Sequence, residues 1–336
     1  MGRGPRRQKP SRVEPRAAMS MSRPVWWVGI DENGLGPRLG PLVATAVTLR
    51  VPPSLDVQRF ASDARSAGVD DSKSNSAFSN MARTEHMVLS WLRESTGKSM
   101  DSVDDLWSSV LLTKADELQS WCPPTTKPQC WREALSVPAF SREGGLGRER
   151  RPSGLQQVFA RHHVQLVRVR SAIACPAVLH RARDEGKTKF DVNLKLFQRL
   201  LLDARAATDA PLMARCGMNG GMRKYAPRLG AIAAQDQLCE ALERKGCSSY
   251  RYEHLGEIHF EVDADATWPM VGLASMVGKY VRELWMERQY RFYAAHQPDA
   301  PRVSGYHDPV TARFVTQTDT LRRTLRIADE CFERPS

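Results

Sequence analysis

Two dense apolar runs open the patterned part of the chain. Val25-Trp26-Trp27-Val28-Gly29-Ile30 leads straight into Asp31, and Leu42 to Leu49 follows after Asn33-Gly34-Leu35-Gly36-Pro37. Short apolar runs bounded by Gly and Pro predict buried strands joined by a turn, the second closed by Pro52-Pro53. Spacing over 78–97 predicts a helix. Residues 164–170 alternate, which predicts a strand with one wet face. Residues 191–207 return to helical spacing through Val192, Leu196 and Leu200, and Leu212 to Arg215 forms a short strand before a Gly-rich turn at 217–221. From Glu257 to Val262 the alternation is clean, with Ile258, Phe260 and Val262 on one face and Glu257, His259 and Glu261 on the other. A long helix is predicted from about Pro269 to His296. Strands interleaved with helices imply an α/β domain around a mixed sheet.

The flanks read differently. Residues 1–23 carry Pro, Arg and Gly without apolar periodicity and are expected to form a disordered basic arm. The main domain spans 24–316. Within it, about 100–155 changes texture: Trp107, Trp121 and Trp131 stand among Pro123-Pro124, Gly144-Gly145 and the basic run Arg148 to Arg151, a helical insertion or small lid. Residues 317–336 are expected to form a C-terminal helical tail. There are no internal repeats.

Charge sharpens this picture only slightly. The 336 residues hold 49 Lys and Arg against 38 Asp and Glu, a net of +11, which fits a polyanionic partner. The first 24 residues supply six of those eleven charges, so the rest of the chain is only mildly basic. The seven cysteines are scattered and include no CxxC pair, which argues against a zinc ribbon and against a closed disulfide framework. Reduced thiols fit a cytoplasmic protein. No apolar run is long enough to span a membrane, and the Arg-rich start lacks the apolar segment of a secretory signal. Met19 and Met21 are alternative starts.

The candidate chemistry begins at Asp31-Glu32, two carboxylates at the end of a buried strand and before a Gly-rich turn. Strand ends in α/β sheets are where sites form, because the sheet fixes side chains that face a cleft. Taken alone the pair reads more simply as a solvated turn. The wider pattern changes that weighting. Gly29-Ile30-Asp31-Glu32-Asn33-Gly34-Leu35-Gly36-Pro37-Arg38-Leu39-Gly40-Pro41-Leu42-Val43 resembles the opening motif of type 2 ribonuclease H, G-x-D-E-x-G-R-G-P-x-x-G-P-V-V. Asp71-Ser72-Lys73 resembles that family's D-S-K segment. Asp265, followed by Leu273-Ala274-Ser275-Met276-Val277-Gly278-Lys279, resembles its G-D segment and A-A-S-I-x-A-K helix, and Ser304-Gly305-Tyr306 resembles its K-G-Y segment. The four matches occur in the family's order and cover 25–95 and 160–315, leaving 100–155 unmatched.

The resemblance implies a ribonuclease H-like fold, a mixed five-stranded sheet flanked by helices. It implies metal-dependent endonucleolytic hydrolysis of the RNA strand of an RNA–DNA hybrid. Two hard divalent ions about 4 Å apart can activate a water and stabilise the leaving oxygen, and such ions prefer carboxylate oxygens. By the resemblance Asp31, Glu32 and Asp265 are catalytic and hold Mg²⁺ or Mn²⁺. Gly34, Leu35, Gly36, Lys73, Lys279 and Tyr306 then contact the nucleic acid. No small-molecule cofactor and no membrane partner are expected, and no oligomeric state is specified. Leu35 stands where the family has the Arg that helps read the ribose 2′-OH, so a weak preference for a lone ribonucleotide is expected. The family's third Asp lies in V-D-G-N at the end of a middle strand. The sequence here is Cys216-Gly217-Met218-Asn219, and Cys216 is expected at the Asp position, with Glu261 or Asp263 as the nearest replacement acids. A thiol is a poor Mg²⁺ ligand. That departure keeps open a second reading, an inactive or impaired nucleic-acid-binding protein that retains the fold.

Overall fold

The structure is a computed structural model that describes residues 25–69, 81–122, 134–140 and 154–335. In chain order its elements are β1 (Val25–Asn33), β2 (Leu42–Val51), α1 (Val57–Ser66), α2 (Met81–Thr96), α3 (Val103–Val110), α4 (Ala115–Ser120), α5 (Gly154–Arg161) and β3 (Gln165–Ala174). There follow α6 (Pro176–Asp184), α7 (Lys189–Ala206), β4 (Leu212–Gly217), α8 (Gly230–Ala233), β5 (Leu238–Arg244), β6 (Cys247–Tyr252) and β7 (Gly256–Glu261). The chain closes through α9 (Ala264–Thr267), α10 (Pro269–His296), α11 (Pro309–Gln317), α12 (Asp319–Thr324) and α13 (Asp329–Phe332).

One mixed sheet has the order β3-β2-β1-β4-β7-β6-β5. β1 pairs antiparallel with β2 and parallel with β4, and β4 pairs parallel with β7. The sheet therefore has seven strands, not the expected five. The block β3-β2-β1-β4-β7 is the set read from the sequence. The hairpin β5–β6 extends it past β7. Every residue of β5 is exposed, so that strand has no buried face to impose an alternating pattern. Its turn, Lys245-Gly246, uses the positive φ of Gly246.

Strand alternation sends side chains into two apolar layers. On one face α10 packs on β1 and β2, with Trp27, Val43, Val47, Val271, Ala274 and Val277 in a common cluster. On the other, α7 covers Val28, Ile30, Ala44 and Ala46 with Phe197, Leu200 and Leu201. A third cluster, Leu39, Met286, Tyr293, Phe314 and Phe332, joins the end of α10 to the C-terminal helices. Trp107 of α3 packs 5.6 Å from Trp285 of α10, ring centre to ring centre.

Two glycines set how closely α10 approaches the strand ends. A Cβ at Gly29 would strike the Met270 backbone, and one at Gly278 would lie 2.6 Å from Asn33 Nδ2 and 2.8 Å from Thr45 Oγ1. With both absent, the start of α10 rests directly on β1, and Asn33 Nδ2 donates to the Ser275 carbonyl at 3.1 Å. This contact carries the segment just before α10 to the end of β1.

Candidate active site

Asp31 and Glu32 are the last acidic residues of β1, and successive strand residues face opposite sides. Asp31 lies on the α10 face. Asp265 sits in the first turn of α9, the short helix before α10, and is brought to the same strand end by that packing. Their proximity is written in Glu32. Burial, then the Asp31 charge, and to a lesser degree Asp265 raise its carboxyl well above the ordinary glutamate range. Glu32 Oε2 is shielded from solvent and has no hydrogen-bond partner among the described residues. A buried carboxyl raised by two neighbouring carboxylates, with a buried acceptor left over, marks a cluster that a cation would relieve. The donors are hard oxygens, the type that suits Mg²⁺ or Mn²⁺. The residues present fit such an ion.

The neighbouring strand supplies no fourth acid. Leu212, Ala214 and Cys216 of β4 are buried in the α7-side cluster, while Met213, Arg215 and Gly217 face the other way. Cys216 is thus not at the acidic face as expected. Burial pushes its thiol far above the usual range. The residue that meets the acids is Gly217: a Cβ there would lie 2.6 Å from Asp31 Oδ1 and 3.5 Å from Glu32 Oε2. With Gly217 on the Asp of V-D-G-N, Asn219 falls on the Asn of the same motif. Its backbone N–H donates to Tyr225 Oη at 3.0 Å and its amide to the Phe190 carbonyl at 2.8 Å, which fixes the turn after β4.

Glu261 is engaged elsewhere on the sheet: it is ion-paired with Arg215 and accepts from Trp268 Nε1 at 2.7 Å. Asp263 holds a left-handed backbone, φ 50°, at the start of α9, where its carbonyl accepts from Thr267.

The loop Gly34-Leu35-Gly36 follows directly. Gly34 has φ 95°, which favours glycine. Leu35 packs against the α7-side core. Tyr306 is half exposed beside Gly36, where a Cβ would lie 3.8 Å from its ring. Two arginines that the sequence reading missed hold this loop from beneath. Arg334 donates to the carbonyls of Gly34 and, at 2.7 Å, Gly40. Arg282 donates to Ser304 O at 3.0 Å and lies 5.3 Å from the Tyr306 ring centre. Burial, together with Arg282, lowers the pKa of Arg334 to about 9. No periodicity or motif marks Arg334 or Arg282 in the sequence. Lys279, half-buried on α10, has its pKa lowered by burial, with Glu283 opposing and Arg282 adding to the shift. Lys73 lies outside the described residues.

No family model matches the chain, and no curated protein matches it. Among solved structures, that of the PCNA:RNase HII complex from Archaeoglobus fulgidus aligns with 92% of this chain and 93% of its own, at 18% identity and a TM-score of 0.45. Ribonuclease H2 from Pyrococcus horikoshii OT3 aligns over 92% of each chain, at 14% identity and a TM-score of 0.40. Bst-RNase HIII in complex with Mn²⁺ aligns with 92% of this chain and 66% of its own, at 11% identity and a TM-score of 0.43. This chain is similar to type 2 ribonucleases H. The geometry around Asp31 is its own and carries the functional argument. No helix among the described residues is long and apolar enough to cross a membrane.

Proposed function

We propose that the protein is a metal-dependent endonuclease that hydrolyses the RNA strand of RNA–DNA hybrids. The observation that carries this reading is the convergence of Asp31, Glu32 and Asp265 at one strand end, with the buried Glu32 Oε2 unpartnered. A bound Mg²⁺ or Mn²⁺ would supply an activated water and charge neutralisation at the scissile phosphate. Asp31, Glu32 and Asp265 would hold it. The chain's other residues bind and orient. Of this loop the Gly36 backbone is exposed and can approach a sugar, since glycine presents no Cβ, and Tyr306 offers a ring beside it. Lys279 contributes a cation from α10.

Gly217 favours a second reading, a hybrid-binding protein with little or no turnover, because one carboxylate of the family's set is missing at that position. A cleavage assay on a labelled hybrid in Mg²⁺ and in Mn²⁺ separates the two. The expected outcome is metal-dependent cutting of the RNA strand, reduced by orders of magnitude in Asp31→Asn. Thermal stability of that variant should be equal or higher, because carboxylate repulsion is relieved. Binding without cutting in either ion would establish the second reading.

A further inference from the structure

We propose that Cys247, His259 and Glu261 form a second metal site, distinct from the Asp31 cluster, for a borderline-soft divalent cation of the zinc class. The sheet places the three side chains together. Cys247 of β6 is the direct cross-strand partner of Glu261 of β7, and His259 lies two residues before Glu261, on the same face. One ligand atom from each residue falls within 4.8 Å of the others, and all three are partly exposed, so an ion can enter. A thiolate, an imidazole and a carboxylate with a fourth position left to water is a donor set that suits Zn²⁺ and not Mg²⁺.

The histidine is held as a metal-bound histidine would be. Its Nε2 lies 3.3 Å from Glu257 Oε2, which orients that nitrogen as the donor and leaves the Nδ1 lone pair facing inward. Nδ1 is 3.9 Å from Glu261 Oε1, too far for a hydrogen bond between them. Oε1 also accepts from Arg215 and Oε2 from Trp268, so a cation between Nδ1 and Oε1 would share the carboxylate through its remaining lone pair. Donor atoms around tetrahedral zinc sit roughly 3.3–3.8 Å apart, given zinc–ligand bonds of about 2.0–2.3 Å, so closing the site takes only small side-chain rotations. Binding would release the Cys247 thiol proton to solvent and form the sulfur–metal bond.

The competitor is Arg215. Its guanidinium pairs with Glu261 Oε1 and lies 4.3 Å from the Trp268 ring centre. It draws off part of the carboxylate's charge and repels an incoming cation. Arg215→Gln should therefore tighten the site.

Co²⁺ is the probe, added to the full chain, because a thiolate–Co²⁺ bond gives a near-ultraviolet charge-transfer band that oxygen ligands do not. The wild type should develop this band with one equivalent. It should be lost in Cys247→Ser, weaken at least tenfold in His259→Asn, and be displaced by stoichiometric Zn²⁺. It should persist in Asp31→Asn and in Cys216→Ser, so failure at the hydrolytic centre reads separately. Circular dichroism confirms that each variant is folded. Half-saturation in Arg215→Gln should fall at least tenfold. Absence of the band in folded wild type, its persistence in Cys247→Ser, or weaker binding in Arg215→Gln would overturn the assignment.

Discussion

A one-residue difference in strand parity decides the chemistry next to Asp31. Cys216 points into an apolar layer with Ile30 and Phe260, whereas Gly217 points at the acids. The two substitutions to Asp should then behave in opposite ways. Cys216→Asp buries an uncompensated carboxylate and should cost about 3–5 kcal/mol in denaturant melts. Gly217→Asp adds a hard ligand where Asp31 and Glu32 already converge. The contact its Cβ makes, 2.6 Å to Asp31 Oδ1, is with the end of a side chain that can turn away. Mn²⁺ titration of that variant should show binding at least tenfold tighter than wild type; unchanged affinity would remove position 217 from the metal site. The parity was legible in the sequence. Arg215 is polar between apolar Leu212, Ala214 and Cys216 on the alternate register, so the wet face carries 213, 215 and 217. Because β4 runs on through Cys216 to Gly217, the V-D-G-N segment aligns one residue later than a strand ending at Arg215 would place it.

At the scale of elements, the five central strands were readable, and the edge hairpin β5–β6 was not. β1, β2, β3, β4 and β7 each bury side chains against α7, α10 or both, and burial is what writes apolar runs and alternation into a sequence. β5 buries nothing. β6 does alternate, with Ser248, Tyr250 and Tyr252 buried, and with the Lys245-Gly246 turn before it the hairpin had a weak signal. The carboxylate cluster was legible because its residues are close in sequence or belong to matched segments. The arginine support was not, because it depends on where a distant tail docks. Leu39 bridges to Glu333, Arg38 Nε pairs with Glu333 at 2.5 Å, and Arg334 N–H donates to the Arg38 carbonyl at 3.0 Å. This strap delivers a guanidinium to the Gly34 loop. Arg334→Met should leave the Gly34 and Gly40 carbonyls without their donor and cost about 3 kcal/mol. The KM for hybrid should rise more than kcat falls, since the loop binds and does not react. A kcat loss with unchanged KM would place Arg334 in the chemical step instead.

Across the whole molecule, the acidic cluster couples stability to pH and to metal. Glu32 binds its proton more tightly folded than unfolded. In the ion-free protein that contribution is fully present below the ordinary glutamate value of 4.5 and is lost as pH rises through the raised folded value. Denaturant midpoints should fall across that window and fall less in Glu32→Gln. Mn²⁺ displaces the proton, so its stabilisation should be larger at pH 8 than at pH 5; an increment equal at both would mean that Glu32 is not a ligand.

The strap also has a consequence for how the protein is made. Gly34 is among the first residues of the sheet to be translated, and Arg334 follows 300 positions later. At roughly 5–20 residues per second, about 15–60 s of synthesis separate the two. Throughout that interval the nascent sheet can pair β1 with β2, yet the glycine loop lacks its anchor. A ribosome-bound chain halted before residue 334 would therefore carry the acidic cluster without a finished binding surface, and competence would arrive only once the strap has been made.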